Sequence, residues 1–260
     1  MAEGTQSIDR AATILNIVAR EHKNGASFAD IMNETQLKRP TTRRLLMALV
    51  EHGFVEFDGE NKRYHLGPKI YEFGLQVLPF FDFQEVYRPS LMRLVESTGD
   101  TVFLNRLVGD DMVCIARETG SFPVKAFVLD VGVQRPLGLG AGGLAILAAM
   151  DEAQAQAMLQ RNQKRLKDSD TAPERIPLLI EEARQKGYVS REVSRLGIRT
   201  VAMAILDSAG TPFASLSVST IQERMRGDHL EMVVNALERE VRRINDKLSR
   251  MRPLHPLHSR

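Results

Sequence analysis

The stretch that decides the fold runs Lys38-Arg39-Pro40-Thr41-Thr42-Arg43-Arg44-Leu45-Leu46-Met47-Ala48-Leu49-Val50, then Gly53, then Phe54-Val55-Glu56-Phe57, Asp58-Gly59-Glu60-Asn61 and Lys62-Arg63-Tyr64-His65-Leu66. A helix is predicted to start near Pro40, because proline suits a first turn whose N–H has no partner anyway. Leu45, Leu46, Ala48, Leu49 and Val50 give it a buried side, and Gly53 is a natural stop. Arg39, Arg43, Arg44 and Met47 then point away from that side. Asp58-Gly59 between two β-prone runs signals a hairpin, and Gly67-Pro68 punctuates its end.

Upstream, Ser27 is a good N-cap for a short helix over Phe28 to Thr35, with Phe28, Ile31 and Met32 on one face. Before it, residues 7–20 read as a helix capped by Ser7, with Ile8, Ala11, Ala12, Leu15 and Val18 on one face and Asn24-Gly25 beyond its end. Three helices followed by a hairpin, all within residues 1–67, is the order of a winged helix-turn-helix.

That arrangement gives the charges a use. Lys38 to Arg44 holds four cations and no acid. On a helix lying in the major groove, arginine can donate two hydrogen bonds to one guanine, and Arg43 and Arg44 are the base-reading candidates. Lys38, Thr41, Thr42, Arg39 and Ser27 suit phosphate, which positions a protein without reading sequence. The alternative is a solvated basic helix end. On the hairpin, Lys62, Arg63 and Tyr64 suit phosphates or the minor groove, or else they form a charged edge that blocks strand pairing. Period two sends Arg63 to one face and Lys62 and Tyr64 to the other.

Composition excludes several classes. The 260 residues are 43% hydrophobic and 26% charged, with a net charge of +2, which fits a globular protein of one or two domains. Cys114 is the single cysteine, so neither an internal disulfide nor a thiolate-rich metal site can form, as suits a reducing cytoplasm. The N-terminus lacks an apolar signal core. The most apolar stretch, Leu137 to Met150, is too short and glycine-rich to span a bilayer. The histidines show no metal-ligand spacing, no Gly-x-Ser-x-Gly elbow occurs, and no catalytic residue or cofactor is nominated.

Beyond residue 67 the order is mixed. Residues 68–82 read as a helical connector ending in the apolar Phe80–Phe83 cluster, and a helix follows from about Phe83 to Ser97. Strands are predicted at 101–108, 112–118, 124–129, 188–193, 198–206 and 212–219. Helices are predicted at Gly138–Met150 after a glycine-rich turn, at 152–161, 174–186 and 227–250. The pattern argues an α+β domain over residues 83–252, with helices on a mostly antiparallel sheet, and a mobile tail at 253–260.

Two motifs stand out there. Gly138-Leu139-Gly140-Ala141-Gly142-Gly143 can turn backbone N–H groups toward an anion at a helix N-terminus, or it can simply let a buried helix pack closely. It resembles a dinucleotide fingerprint only loosely, because Gln160 stands where the acid roughly 20 positions later would be. Ser215, Ser217 and Ser219 share one strand face. Either they line a pocket for a small carboxylate or that face is exposed.

Together these residues resemble the IclR family of bacterial transcription regulators over essentially the whole chain. The N-terminal carriers are Ser7-Ile8-Asp9-Arg10-Ala11, Pro40-Thr41-Thr42-Arg43-Arg44-Leu45-Leu46, Gly53-Phe54-Val55 and Tyr64-His65-Leu66-Gly67. Later come Arg135-Pro136-Leu137, Gly187-Tyr188, Leu196-Gly197-Ile198-Arg199 and Phe213 to Ser219. The resemblance implies a winged helix, a connector helix and a GAF-like effector-binding domain. It also implies homodimers or homotetramers on double-stranded operator DNA, and small organic or aromatic acids as effectors. Matching the family's pocket are Leu139, Gly140, Ala141, Ile198, Thr200, Ser217 and Ser219. Gly138-Leu139-Gly140-Ala141 replaces the family's usual His-Ala-Thr-Ala, and Leu144 replaces its lysine. Arg191 stands where the family usually has acids, and pointing inward it would favour an anion.

The expectation is a cytoplasmic regulator without membrane contact, not an enzyme. Its rivals are a nucleotide-binding enzyme built on the 138–143 turn and a ligand-binding or protein-interaction module whose N-terminal helices only dimerise.

Overall fold

The structure is a computed structural model and describes residues 5–21, 24–77, 86–167, 173–193 and 196–250. The chain divides into two compact units, Met1–Phe81 and Asp82–Arg260.

In the first unit, helix α1 (Gln6–Arg20) leads to a two-residue strand β1 (Ala26–Ser27), then α2 (Phe28–Thr35) and α3 (Arg39–Glu51). Strands β2 (Val55–Asp58) and β3 (Arg63–Leu66) form the hairpin, and α4 (Pro68–Val77) follows. The sheet is antiparallel in the order β1-β3-β2. Its core is Ile14, Ile17, Val18, Ala26, Ile31, Leu46, Leu49 and Val55.

Helix α3 ends as its sequence dictates. Gly53 takes φ +72°, its N–H reaches Val50 O at 3.0 Å, and the Phe54 N–H reaches Leu49 O at 2.9 Å. That pair of bonds satisfies two otherwise orphaned carbonyls in a Schellman turn. Gly67 closes against the same point: a Cβ there would meet Gly53 O at 2.2 Å.

Three expectations for this unit need correction. The cap of α1 is Thr5, whose side chain does not close the first turn, rather than Ser7. Ile8 is 68% exposed and Ala12 is exposed; the face that packs carries Ile14, Ile17 and Val18, in the half of the helix nearer α2. Ala48 and Val50 on α3 are exposed, Val50 by 38%, since Thr42, Leu46 and Leu49 already fill the buried side.

The second unit is α5 (Arg88–Thr98), β4 (Thr101–Val108), β5 (Asp111–Thr119), β6 (Gln134–Pro136), α6 (Gly140–Ala149), α7 (Glu152–Lys167), a 3-10 turn (Pro173–Arg175), α8 (Ile176–Lys186), β7 (Val189–Val193), β8 (Ile198–Leu206), β9 (Pro212–Ile221) and α9 (Gly227–Arg250). The six-stranded sheet is antiparallel throughout, in the order β6-β5-β4-β9-β8-β7. Alternation divides its side chains between two cores. Val102, Leu104, Leu216 and Val218 pack with Leu91 and Leu94 of α5 and Val233 and Leu237 of α9. Phe103, Cys114 and Ala202 pack on the other face with Leu144, Ile146 and Leu147 of α6 and Ile180 of α8.

The predicted strand at 124–129 is absent. Its backbone bonds locally, Phe127 N–H to Lys125 O at 3.2 Å and Val128 N–H to Ala126 O at 3.0 Å, and the strand beside β5 is β6 instead. Helix α7 continues to Lys167, past the expected end at 161. The Phe80–Phe83 cluster and the 253–260 tail lie outside the described residues. Among the described residues, no helix is long and apolar enough to cross a membrane.

Candidate functional site

On the first unit, the surface around α3 is built from its neighbours. Ser27 Oγ accepts the Asp30 N–H at 3.1 Å, and Asp30 Oδ2 accepts the Ser27 N–H at 3.0 Å, so a complete capping box starts α2. Ser27, through its hydroxyl first and then its backbone N–H, holds the Asp30 carboxyl below its usual range. Gln36 turns the chain with φ +54°, and Lys38 enters α3 extended, as its cap. No acid lies in the first turn of α3, so the positive end of the helix dipole is left uncompensated there.

Lys38, Arg39, Arg43, Arg44 and Met47 are all exposed, and Thr41 is half-buried. The Arg39 guanidinium sits 5.6 Å from the centre of the Phe28 ring, held against α2. Arg43 lies near Tyr64, whose hydroxyl is pushed up by burial and drawn back by that cation. Arg44 makes no bond among the described residues. Thr42 corrects the sequence reading: it is fully buried, and its hydroxyl bonds Lys38 O at 3.3 Å, so it packs the helix down rather than meeting phosphate.

The wing also departs from expectation. Gly59 does not take the left-handed conformation; Lys62 does, at φ +57°. Asp58 organises the turn by accepting the N–H groups of Glu60 at 2.9 Å and Asn61 at 3.2 Å. Lys62 is therefore the outward cation of the hairpin. Arg63 is only half-buried, but it is engaged: its Nη1 lies 3.4 Å from both Gly25 O and Asp30 Oδ2. Tyr64 stacks on Phe57 at 4.8 Å and joins the core. These two residues hold the wing, and neither is presented as a free contact.

On the second unit, a cavity of about 50 Å³ opens beneath the N-terminus of α6. Five of the expected pocket residues line it: Gly140, Ala141, Arg191, Thr200 and Ser217. Leu139, Ile198 and Ser219 do not. Leu139 is the N-cap of α6 and packs on the core, Ile198 sits half-buried at the start of β8, and Ser219 shares its hydroxyl with Thr200 at 2.7 Å. The serine face of β9 is not exposed: Ser215, Ser217 and Ser219 are all buried, because α6 covers them.

The remaining lining comes from residues that sequence reasoning did not nominate: Phe103, Asn105, Gly142, Met112, Val128, Leu129 and Arg135. Asn105 had a signal, as the one polar side chain in the run Val102-Phe103-Leu104-Asn105. Arg135 and Arg191 make the cavity cationic. Burial lowers the Arg191 pKa, and repulsion from Arg135 and Arg175 adds to it. Helix α6 approaches the sheet so closely that a Cβ on Gly142 would lie 2.7 Å from Asn105 Nδ2 and 2.8 Å from Ser215 Oγ.

A wider open groove of about 610 Å³ runs along α6, α8, β8 and α9, past Ala148, Tyr188, Met203 and Val241. None of the buried polar atoms left without a hydrogen bond lines it, so the smaller cavity is the better-prepared binding site. Among the described residues, no three His, Cys, Asp or Glu side chains gather to hold a metal.

Residues 7–59 match the IclR helix-turn-helix domain, and residues 75–246 match the C-terminal domain of the bacterial transcriptional regulator IclR. The chain belongs to the IclR family. Among similar proteins, the Pca regulon regulatory protein of Pseudomonas putida is 30% identical over 82% of this chain and 73% of its own length. The HTH-type transcriptional regulator BhcR of Paracoccus denitrificans is 28% identical over 93% of this chain and 87% of its own. The crystal structure of an IclR transcriptional regulator from Alicyclobacillus acidocaldarius superposes with a TM-score of 0.73 at 26% identity, covering 94% of this chain and 98% of that one. The N-terminal unit is thus a helix-turn-helix domain and the C-terminal unit an IclR effector-binding domain.

Proposed function

We propose that this IclR chain is a sequence-specific regulator whose binding to operator DNA is set by a small organic carboxylate. The observation that carries the DNA half is the outward line Arg43-Arg44-Met47 on α3, beside a wing that ends in Lys62. Arg43 and Arg44 read base edges. Lys38, Arg39, Thr41 and Ser27 position the helix on phosphates, and Lys62 adds a phosphate contact from the wing. Residues 1–67 serve this purpose, 68–82 connect, and 83–252 sense the effector.

The chain works as a homodimer or a homotetramer. Support comes from α4, where Tyr71 is 70% exposed and Phe73 and Leu75 nearly half exposed. A surface that apolar suits burial against a second copy, and paired copies read paired half-sites. Effector control then requires only that the acid bind one arrangement of the dimer more tightly than the other. The glycine-rich turn serves that pocket rather than nucleotide chemistry, and the protein acts in the cytoplasm as a regulator and not as an enzyme.

Footprinting the full-length chain on DNA flanking its own gene tests this reading. Arg44→Ala is expected to weaken protection by about 1–3 kcal/mol and to relax sequence preference at one position. A footprint and preference that survive Arg44→Ala unchanged would remove α3 from the readout.

A further inference from the structure

We infer that the effector is a compact hydroxycarboxylate of two or three carbons, and not an aromatic acid. This rests on the effector-pocket reading above and narrows it.

Size comes first. The cavity holds about 50 Å³, and one water needs roughly 10–15 Å³ by the same measure. The room suffices for a carboxylate and one or two further groups. A benzoate-sized ring would require Phe103, Met112 and Leu129 to move apart.

Charge comes second. Arg135 and Arg191 both line the cavity, close enough to repel each other, and Arg191 is largely withdrawn from water. The N-terminal turn of α6 faces the same space through Gly140, Ala141 and Gly142, with no side-chain cap and no acid to offset its dipole. An anion between these groups is attracted by both guanidinium charges and by the helix N-terminus at once.

Asn105 supplies the hydroxyl. It is 2% exposed and lines the cavity. Its Nδ2 donates to Ser215 Oγ at 3.4 Å, while its buried Oδ1 has no hydrogen-bond partner among the described residues. A carboxylate only accepts, so it cannot satisfy Oδ1. A hydroxyl can, by donating. A simple acid of equal size leaves Oδ1 buried and unpaired, which is the kind of loss that separates close analogues most sharply.

The test is calorimetric titration of the full-length protein with glycolate and lactate against acetate, propionate and benzoate, paired with release from a DNA fragment that it protects. Lactate or glycolate is expected to bind at least tenfold tighter than its partner lacking the hydroxyl. Asn105→Ala is expected to erase that difference while acetate and propionate still bind, and Arg191→Gln to weaken every acid. Should Asn105→Ala fail to fold, the native ligand panel decides alone. Equal binding of lactate and propionate, or preferential binding and DNA release by benzoate, overturns the inference and leaves the regulator reading standing. Binding of no acid at all overturns both.

Discussion

Replacing neighbouring glycines of α6 by alanine separates packing from helix propensity. Alanine in a helix is favoured over glycine by about 0.5–1 kcal/mol. At Gly143 the new Cβ would sit 3.4 Å from Gly138 N and 3.6 Å from Leu137 Cδ1, which is ordinary contact. Gly143→Ala is therefore expected to stabilise by roughly that 0.5–1 kcal/mol. At Gly142 the same atom would sit 2.7 Å from Asn105 Nδ2, 2.8 Å from Ser215 Oγ and 3.0 Å from Met112 Sδ. Asn105 and Ser215 are short, buried side chains on the paired strands β4 and β9, so neither can swing aside. Overpacking of this kind costs about 1–3 kcal/mol, more than the helix gains. Gly142→Ala should lose up to about 2.5 kcal/mol net, a drop of several degrees in melting temperature, and should narrow the cavity. Thermal and urea unfolding at matched protein concentration read both variants. The reasoning fails if Gly142→Ala melts at or above Gly143→Ala.

Two further outcomes are expected. Glu240 on α9 is buried and takes three bonds from Arg93, at 2.8 to 3.1 Å, and one from Arg243 at 2.9 Å. Burial pushes its carboxyl up, but those bonds and Ser90 outweigh burial and hold it below the usual range. A depressed carboxyl stabilises above its unfolded pKa and loses that contribution as pH falls through its folded one. Glu240→Gln should thus cost about 1–3 kcal/mol near neutrality, in a gap that closes in acid; urea unfolding over a pH series would show a constant gap if the ion pairs were immaterial. Burial also pushes the Cys114 thiol up to about 11. At pH 8 a thiol reagent should leave the folded protein unlabelled and modify it fully in denaturant, and rapid labelling of the native chain would contradict its placement in the core.

What could be read from the sequence was what repeats or punctuates. The leucine spacing of α3, Pro40 and Gly53 fixed a helix whose cations had one way to face. The amphipathic run of α9 and the alternation Ser215-Leu216-Ser217-Val218-Ser219 in β9 declared themselves in the same way. What escaped depended on neighbours distant in sequence. Thr42 looks like a phosphate contact until Leu46 and Leu49 set the helix rotation that buries it. Val124–Leu129 has strand composition, yet Val128 and Leu129 are drawn into the cavity wall and no ladder forms. The serine face of β9 could be read either as a pocket wall or as exposed, because nothing local reveals that α6 lies on it. Arg135 and Arg191 lie 56 residues apart, and only the sheet and its covering segment bring both to one cavity.

The bond between Arg63 and Asp30 has a genetic corollary. It links the wing to the first turn of the helix that supports α3, through a carboxylate that already accepts the Ser27 N–H in capping that turn. A change at Asp30 would loosen both parts together although the residue itself reads no base. Screens for lost regulation should therefore recover alleles at position 30 that mimic operator-contact mutants, while leaving the effector response of the second unit intact.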